Sequence, residues 1–333
     1  MIEDGPSNVK FVRLPAKAAK TRKEVSKGDA AIVFRLFVSL GIAWVLPRKW
    51  WPSLARHTSR LGAFLAGKTT AAVASRMARA LGDNSGETSA RLASDLHAAR
   101  YEVAFQCLRG YRPGGWHPKI TVHGGERIGE ALKLGKGCVL WVAHFVFAPN
   151  VAKVGLSRLG YRVSHLSRPD HGFSSTRFGI RTLNRVRSGF EDRYLAERIT
   201  FDRAHPASAL MRARKTVAKN GIVSFTAGAW EGSSVVEADF LGSRIALALG
   251  PVWLARTSGA VLLPVFAMRT GGADEFVVEV GEPIDVPAAL PESECMEQAA
   301  RTFLQRHVPH MRKYPGQWRA WSSLHDPGTK PQS

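Results

Sequence analysis

Gly137-Cys138-Val139-Leu140-Trp141-Val142-Ala143-His144 is the stretch from which the rest of the chain is read, and Phe145-Val146-Phe147-Ala148-Pro149-Asn150 follows it directly. The run is apolar until the histidine. Short apolar runs of this kind fit strands buried on both faces, as the strands of parallel sheets are. A histidine at the end of such a strand, at the mouth of a loop, is well placed for general-base chemistry. Such a base is usually supported by a carboxylate that fixes its tautomer and stabilises its cation.

The same texture continues on both sides. Strands are expected at 119–123, 137–143, 161–166, 221–226, 235–240, 260–268 and 275–280. Helices are expected at 125–134, 149–158, 173–187, 205–219, 246–258 and 292–312. This alternation predicts an α/β fold with a mostly parallel sheet flanked by helices. The α/β domain spans 115–323, and 324–333 read as a flexible tail. Ahead of it, Leu54, Leu61, Phe64 and Leu65 recur at helical spacing, as do Leu92, Leu96, Val103 and Leu108. They mark amphipathic helices over 52–83 and 86–111, within a helical segment spanning 52–114 that Gly114-Gly115 closes.

Residues 1–28 carry Lys10, Arg13, Lys17, Lys20, Arg22, Lys23 and Lys27 and few large apolar residues, so they read as a basic flexible tail. The tail is too long and polar to open an ordinary signal peptide. Residues 30–47 are then nearly continuously apolar, marginally long enough to cross a bilayer. Arg48-Lys49-Trp50-Trp51 adds cations beside paired tryptophans, the pattern of a membrane–water interface. Residues 29–51 are therefore expected to form an N-terminal membrane-associated helix and interface, either spanning or lying on the bilayer. A buried core helix is the alternative.

Lys and Arg number 47 against 27 Asp and Glu, a formal charge of +20. So large an excess calls for an anionic partner: nucleic acid, an anionic membrane face, a phosphorylated lipid or an acidic carrier protein. Cys107, Cys138 and Cys295 are odd in number and far apart, so neither a disulfide framework nor a metal pattern follows. A reducing, cytosol-facing location fits.

Further motifs surround the histidine. Gly221-Ile222-Val223-Ser224-Phe225 leads into Ala227-Gly228-Ala229-Trp230-Glu231-Gly232. Later come Ala238-Asp239-Phe240-Leu241-Gly242-Ser243, Leu254-Ala255-Arg256-Thr257-Ser258-Gly259-Ala260, Val261-Leu262-Leu263-Pro264-Val265 and Tyr314-Pro315-Gly316-Gln317-Trp318-Arg319-Ala320-Trp321. In this order, from about 30 to 321, the chain resembles the lysophospholipid acyltransferase superfamily, and within it the late lauroyl- and myristoyl-type acyltransferases of bacterial lipid A biosynthesis. Each motif alone is weak; their order and spacing carry the likeness.

The resemblance implies a membrane-associated acyltransferase on the cytoplasmic face of a bacterial inner membrane. It would move a fatty acyl group from an acyl thioester, carried by acyl-carrier protein or as acyl-CoA, to a hydroxyl of a phosphorylated or glycosylated lipid. Neither a metal nor a redox cofactor is implied. The family's catalytic pair is a histidine, four variable residues, then Asp or Glu. The histidine maps to His144 and the acid to Pro149. Asp170, Glu231 and Asp239, near predicted strand ends, are the candidate replacement acids. Relatives also often place an aspartate just after the strand that ends near Phe225, and here no acid follows until Glu231.

Arg177, Arg181 and Arg185 follow at i, i+4 and i+8 on the predicted helix 173–187, with Arg168 and Arg187 nearby. Such guanidiniums can grip phosphate in bidentate fashion. The resemblance puts an arginine of this region on the acceptor's phosphate or sugar; a solvated basic face is the alternative. Two other functions stay open. One is a catalytically silent relative that binds lipid or acts as a scaffold, which the proline at 149 suggests. The other is a nucleic-acid binder, since Phe173, Phe178, Phe190 and Tyr194 lie among the cations. No RNP, zinc or helix-turn-helix signature accompanies them, so no nucleic acid partner is expected.

Overall fold

The computed structural model describes residues 5–13, 22–168, 170–201, 206–228 and 234–325, with backbone only for 60–69 and 206. The apolar run that precedes His144 forms strand β3 (Cys138–Val142), buried at all five positions. Gly137 opens it with φ +72°, and a Cβ there would stand 2.7 Å from the Val217 carbonyl oxygen and 2.8 Å from that of Gly221. Only glycine fits so close a backbone approach at positive φ.

β3 pairs in parallel with β6 (Ile222–Thr226) on one side and β9 (Val261–Arg269) on the other. Beyond β6 lie β4 (Val163–Ser167) and β5 (Leu195–Thr200), both parallel. Beyond β9 lies β10 (Glu275–Val280), antiparallel to it, and then β2 (Lys119–His123), parallel to β10. The sheet order is β2-β10-β9-β3-β6-β4-β5. The fold is thus α/β with a mostly parallel sheet flanked by helices. Helix α5 (Ala148–Arg158) covers one face; α8 (Pro206–Ala218) and α9 (Gly250–Ser258), packed together, cover the other. Helix α4 (Glu126–Lys133) links β2 to β3. Pro149 and Pro251 stand in the first turns of α5 and α9, where a missing N–H costs nothing.

A second, antiparallel sheet combines β1 (Ser7–Arg13), β7 (Ser234–Phe240) and β8 (Ser243–Ala248). It corrects two expectations. Residues 7–13, read as part of a flexible tail, are a strand: Val9 is buried, and the strand occupies the edge of β7 that the hairpin leaves open. Residues 246–248, read as the start of a helix, belong to β8, and the helix starts only at Gly250-Pro251.

The helix expected over 173–187 is also broken. It forms α6 (Arg177–Arg181) and α7 (Leu183–Asp192), separated by Thr182 at φ −118°, ψ −67°. Helices α2 (Trp51–Leu81) and α3 (Glu87–Arg109) form the helical segment, and α10 (Glu292–Lys313) closes the opposite end of the chain. The change of texture near 114 does not divide the core: Trp51, Phe105, Trp116 and Trp141 belong to one buried apolar cluster.

Helix α1 (Lys27–Val45) is long and apolar enough to cross a membrane, with an 18-residue window of mean hydropathy 1.6. It packs beside α3.

Candidate active site

His144 lies two residues past the carboxyl end of β3, the central strand of three parallel neighbours. In open α/β sheets ligands bind outside the carboxyl ends of the strands. The loop is held from both sides. Ala143 N–H donates to the Val265 carbonyl at 2.7 Å, Val146 N–H donates to Gln317 at 2.8 Å, and Arg319 N–H donates to the His144 carbonyl at 2.9 Å. Phe145 and Trp318 form a short antiparallel bridge. The C-terminal motif singled out in the sequence therefore clamps the histidine loop, with Trp318 and Trp321 buried edge to face at 4.9 Å.

His144 is buried and borders a cavity of about 20 Å³ whose walls include Gly228, Ile245, Leu247, Leu304 and Trp318. The lining suits a hydrocarbon tail. The space holds about one water molecule, not an acyl chain. Ala227 and Gly228 form part of the wall and lead directly into 229–233, outside the described residues.

Burial pushes the His144 imidazole well below the ordinary histidine range, and Arg319, Arg187, Arg100 and His171 push it the same way. It is therefore neutral at pH 7, as a base must be. Arg319 is itself pulled down to about 9 by burial and by Arg187, Arg100 and Arg168. Nε of Arg100 is buried without a hydrogen-bond partner among the described residues. Three arginines, Arg100, Arg187 and Arg319, thus act on the histidine, an arrangement that attracts an anion.

Arg187 also belongs to a charge cluster centred on Glu191, whose side chain is fully buried. It accepts from Lys153 Nζ at 2.9 Å, Arg187 Nε at 3.0 Å, Arg198 Nη2 at 3.0 Å and His171 Nε2 at 2.9 Å. Burial alone would raise Glu191; His171, Lys153 and Arg187 outweigh it and hold the carboxyl well below its usual range. Burial brings His171 down to about 4, against the pull of Glu191, so it is neutral at pH 7 and donates to the carboxylate. Lys153, Arg187 and Arg198 share Glu191, and Arg198 also pairs with Asp192 at 2.7 Å, so one positive charge is in surplus.

The candidate acids do not assemble as the sequence suggested. Asp170 is held bidentately by Arg168, at 2.9 Å on both oxygens. Asp239 lies on β7, bonded to Asn8 at 2.6 Å and paired with Arg244 at 3.4 Å. Both carboxylates are committed to other partners. Glu231 lies outside the described residues. Asn150 turns into α3, donating to Gln106 Oε1 at 3.1 Å. Pro149 offers its carbonyl to Lys153 Nζ at 2.8 Å.

The arginine row is corrected as well. With the helix broken at Thr182, Arg177, Arg181 and Arg185 do not form one continuous helical row, and all three are exposed. Arg177 pairs with Glu24 at 2.6 Å. Of the five arginines expected to bind substrate, Arg187 acts on His144, and Arg168, paired with Asp170, acts on Arg319. Arg100, Arg319, Lys153 and Glu191 escaped the sequence reading. Arg187 and Glu191 at i, i+4 were the available local signal; Arg100 sits inside an amphipathic helix with nothing to mark it. Among the described residues, no group of three or more His, Cys, Asp or Glu could hold a metal ion.

The chain matches no protein-family model and no curated protein.

Proposed function

We propose that the protein is a membrane-associated acyltransferase on the cytoplasmic face of a bacterial inner membrane. It moves a fatty acyl group from an acyl thioester, on acyl-carrier protein or coenzyme A, to a hydroxyl of a phosphorylated or glycosylated lipid. What supports this most is the position of His144. A neutral imidazole stands at the carboxyl end of the central parallel strand, beside an apolar cavity and in the field of Arg100, Arg187 and Arg319.

The chemistry follows from that environment. An alcohol is a poor nucleophile until a base takes its proton. His144 accepts the hydroxyl proton as the oxygen attacks the thioester carbonyl. The C–O bond forms, the C–S bond breaks, and the imidazolium returns its proton to the departing thiolate. The surrounding arginines disfavour that imidazolium. An acceptor phosphate seated among them supplies the opposing charge that Pro149 cannot. The same guanidiniums are suited to stabilising a tetrahedral oxyanion.

The test is transfer from a labelled acyl thioester to anionic and neutral lipids by the purified protein. Transfer to phosphorylated acceptors is expected, with a loss of about 100-fold or more in His144→Ala. Full activity in that variant removes His144 from the mechanism.

A catalytically silent, lipid-binding relative is the second reading. It is favoured by the cavity of about 20 Å³ and by the commitment of Asp170 and Asp239 to arginines. Under it, lipid binds and no thioester is consumed by either protein.

A further inference from the structure

We infer that α1 lies in the plane of the membrane surface, as a fixed docking face for an anionic bilayer, and does not cross it. The inference rests on the membrane association proposed above.

Helix α1 is apolar on its outward face as well as toward the core. The stripe it buries contains Asp29, Leu36, Ser39 and Ala43. Its outward face carries Phe34 at 71% exposure, Phe37 at 76% and Val45 at 76%, with Val33 and Val38 also exposed. A helix of a water-soluble surface turns its large apolar residues inward. This one packs Ile32, Leu36 and Leu40 against the core and still turns two phenylalanines and three valines out, so its outer partner is apolar.

That partner meets a helix fastened along its length. At the amino end Asp29 accepts from Ser174 Oγ at 2.6 Å and Thr176 Oγ1 at 2.9 Å, and Arg177 and Phe178 N–H donate to the Lys23 and Glu24 carbonyls. Midway, Arg35 stacks over the Tyr101 ring at 5.6 Å. At the carboxyl end Arg109 donates to the Ala43 carbonyl at 2.7 Å and Arg112 to the Trp44 carbonyl at 2.7 Å, while Trp44 Nε1 donates to the Leu108 carbonyl at 3.0 Å. Arg35 with Tyr101 and Trp44 with Leu108 make α1 and α3 run side by side in the same direction.

Nineteen residues span about 28 Å, near the thickness of the hydrocarbon layer. A spanning pose would therefore draw Arg35, and the α3 segment packed beside it, to membrane depth, where cations are rare and costly. The in-plane pose avoids this. The phenylalanines enter the acyl boundary and the cations remain among the headgroups. Exposed Lys27, Arg35, Lys49, Arg181 and Arg185 supply charge complementary to anionic headgroups, and exposed Trp44 and Trp50 stand where interfacial tryptophans do.

The test uses the full chain in two arms. Single cysteines are introduced by Lys27→Cys and Lys49→Cys, both exposed and at opposite ends of the helix, while the native Cys107, Cys138 and Cys295 are buried. Right-side-out and inverted membrane vesicles from expressing cells are treated with a membrane-impermeant maleimide. Both positions are expected to react from the same side; reaction from opposite sides overturns the in-plane pose while leaving membrane association intact. In the second arm, sedimentation with vesicles containing phosphatidylglycerol is compared for the wild type and the double variant Phe34→Glu, Phe37→Glu. Partition is expected to fall by about 100-fold or more. A wild type that does not sediment with these vesicles overturns the inference and the membrane reading together.

Discussion

His144 is legible in the sequence because it ends an apolar strand, but the charges that govern it arrive from far away. Arg100 comes from α3, Arg187 from α7 and Arg319 from the C-terminal turn. No local pattern announces such a convergence. The depressed imidazole gives a prediction. If His144 is the base, kcat/KM should stay level as pH falls through 6.5, with its acid limb well below that value; a limb near 6.5 would mean an unperturbed base. Pro149→Glu should raise a weak activity if the absent acid limits it, and no gain would point to another acid or to a silent site. Glu191 gives a third prediction. Glu191→Gln leaves Lys153, Arg187 and Arg198 without their shared counter-charge, and should cost about 3–5 kcal/mol in denaturant unfolding. A change below about 1 kcal/mol would show the cluster to be well hydrated.

Among the elements, central strands were readable and edges were not. β3, β6 and β9 are apolar on both faces, so composition alone marks them. β5 is an edge strand with a mixed burial pattern and a sequence, Leu195-Ala196-Glu197-Arg198-Ile199-Thr200, that does not stand out. β8 runs into the next helix through Ala246-Leu247-Ala248, where a short apolar run fits either structure until Gly250-Pro251 decides it. β1 was missed because its partner is more than 220 residues away: Lys10 faces Glu237. The break between α6 and α7 occurs at a threonine with no proline or glycine to signal it. Deleting residues 1–13 should expose the edge of β7 and the surface under Val9, costing about 2 kcal/mol in unfolding experiments and promoting association. An unchanged stability would mean that β1 adds nothing to the fold.

At the scale of the whole molecule, a charge of +20, an apolar helix turned outward and a cationic site at the sheet's carboxyl edge belong together if the ligand is an anionic lipid. Stability should fall in acid. His144, His165, His171 and His307 are all depressed by burial, the last two to about 4 and about 3, so the unfolded chain binds more protons than the folded one below pH 6.5. The stability their neutral forms provide is fully present above that pH. It should decline by at least about 2 kcal/mol between pH 7 and pH 5. Vesicle binding should weaken with added salt, as screening of exposed cations requires.

The central claim is that His144 drives acyl transfer to a lipid. Its most direct test is mass spectrometry of lipid extracts from cells carrying the wild-type chain, the His144→Ala chain or neither. A species one acyl chain heavier than its precursor is expected with the wild type alone, with the precursor accumulating in the other two. The same acylated species at equal abundance in all three extracts would contradict it.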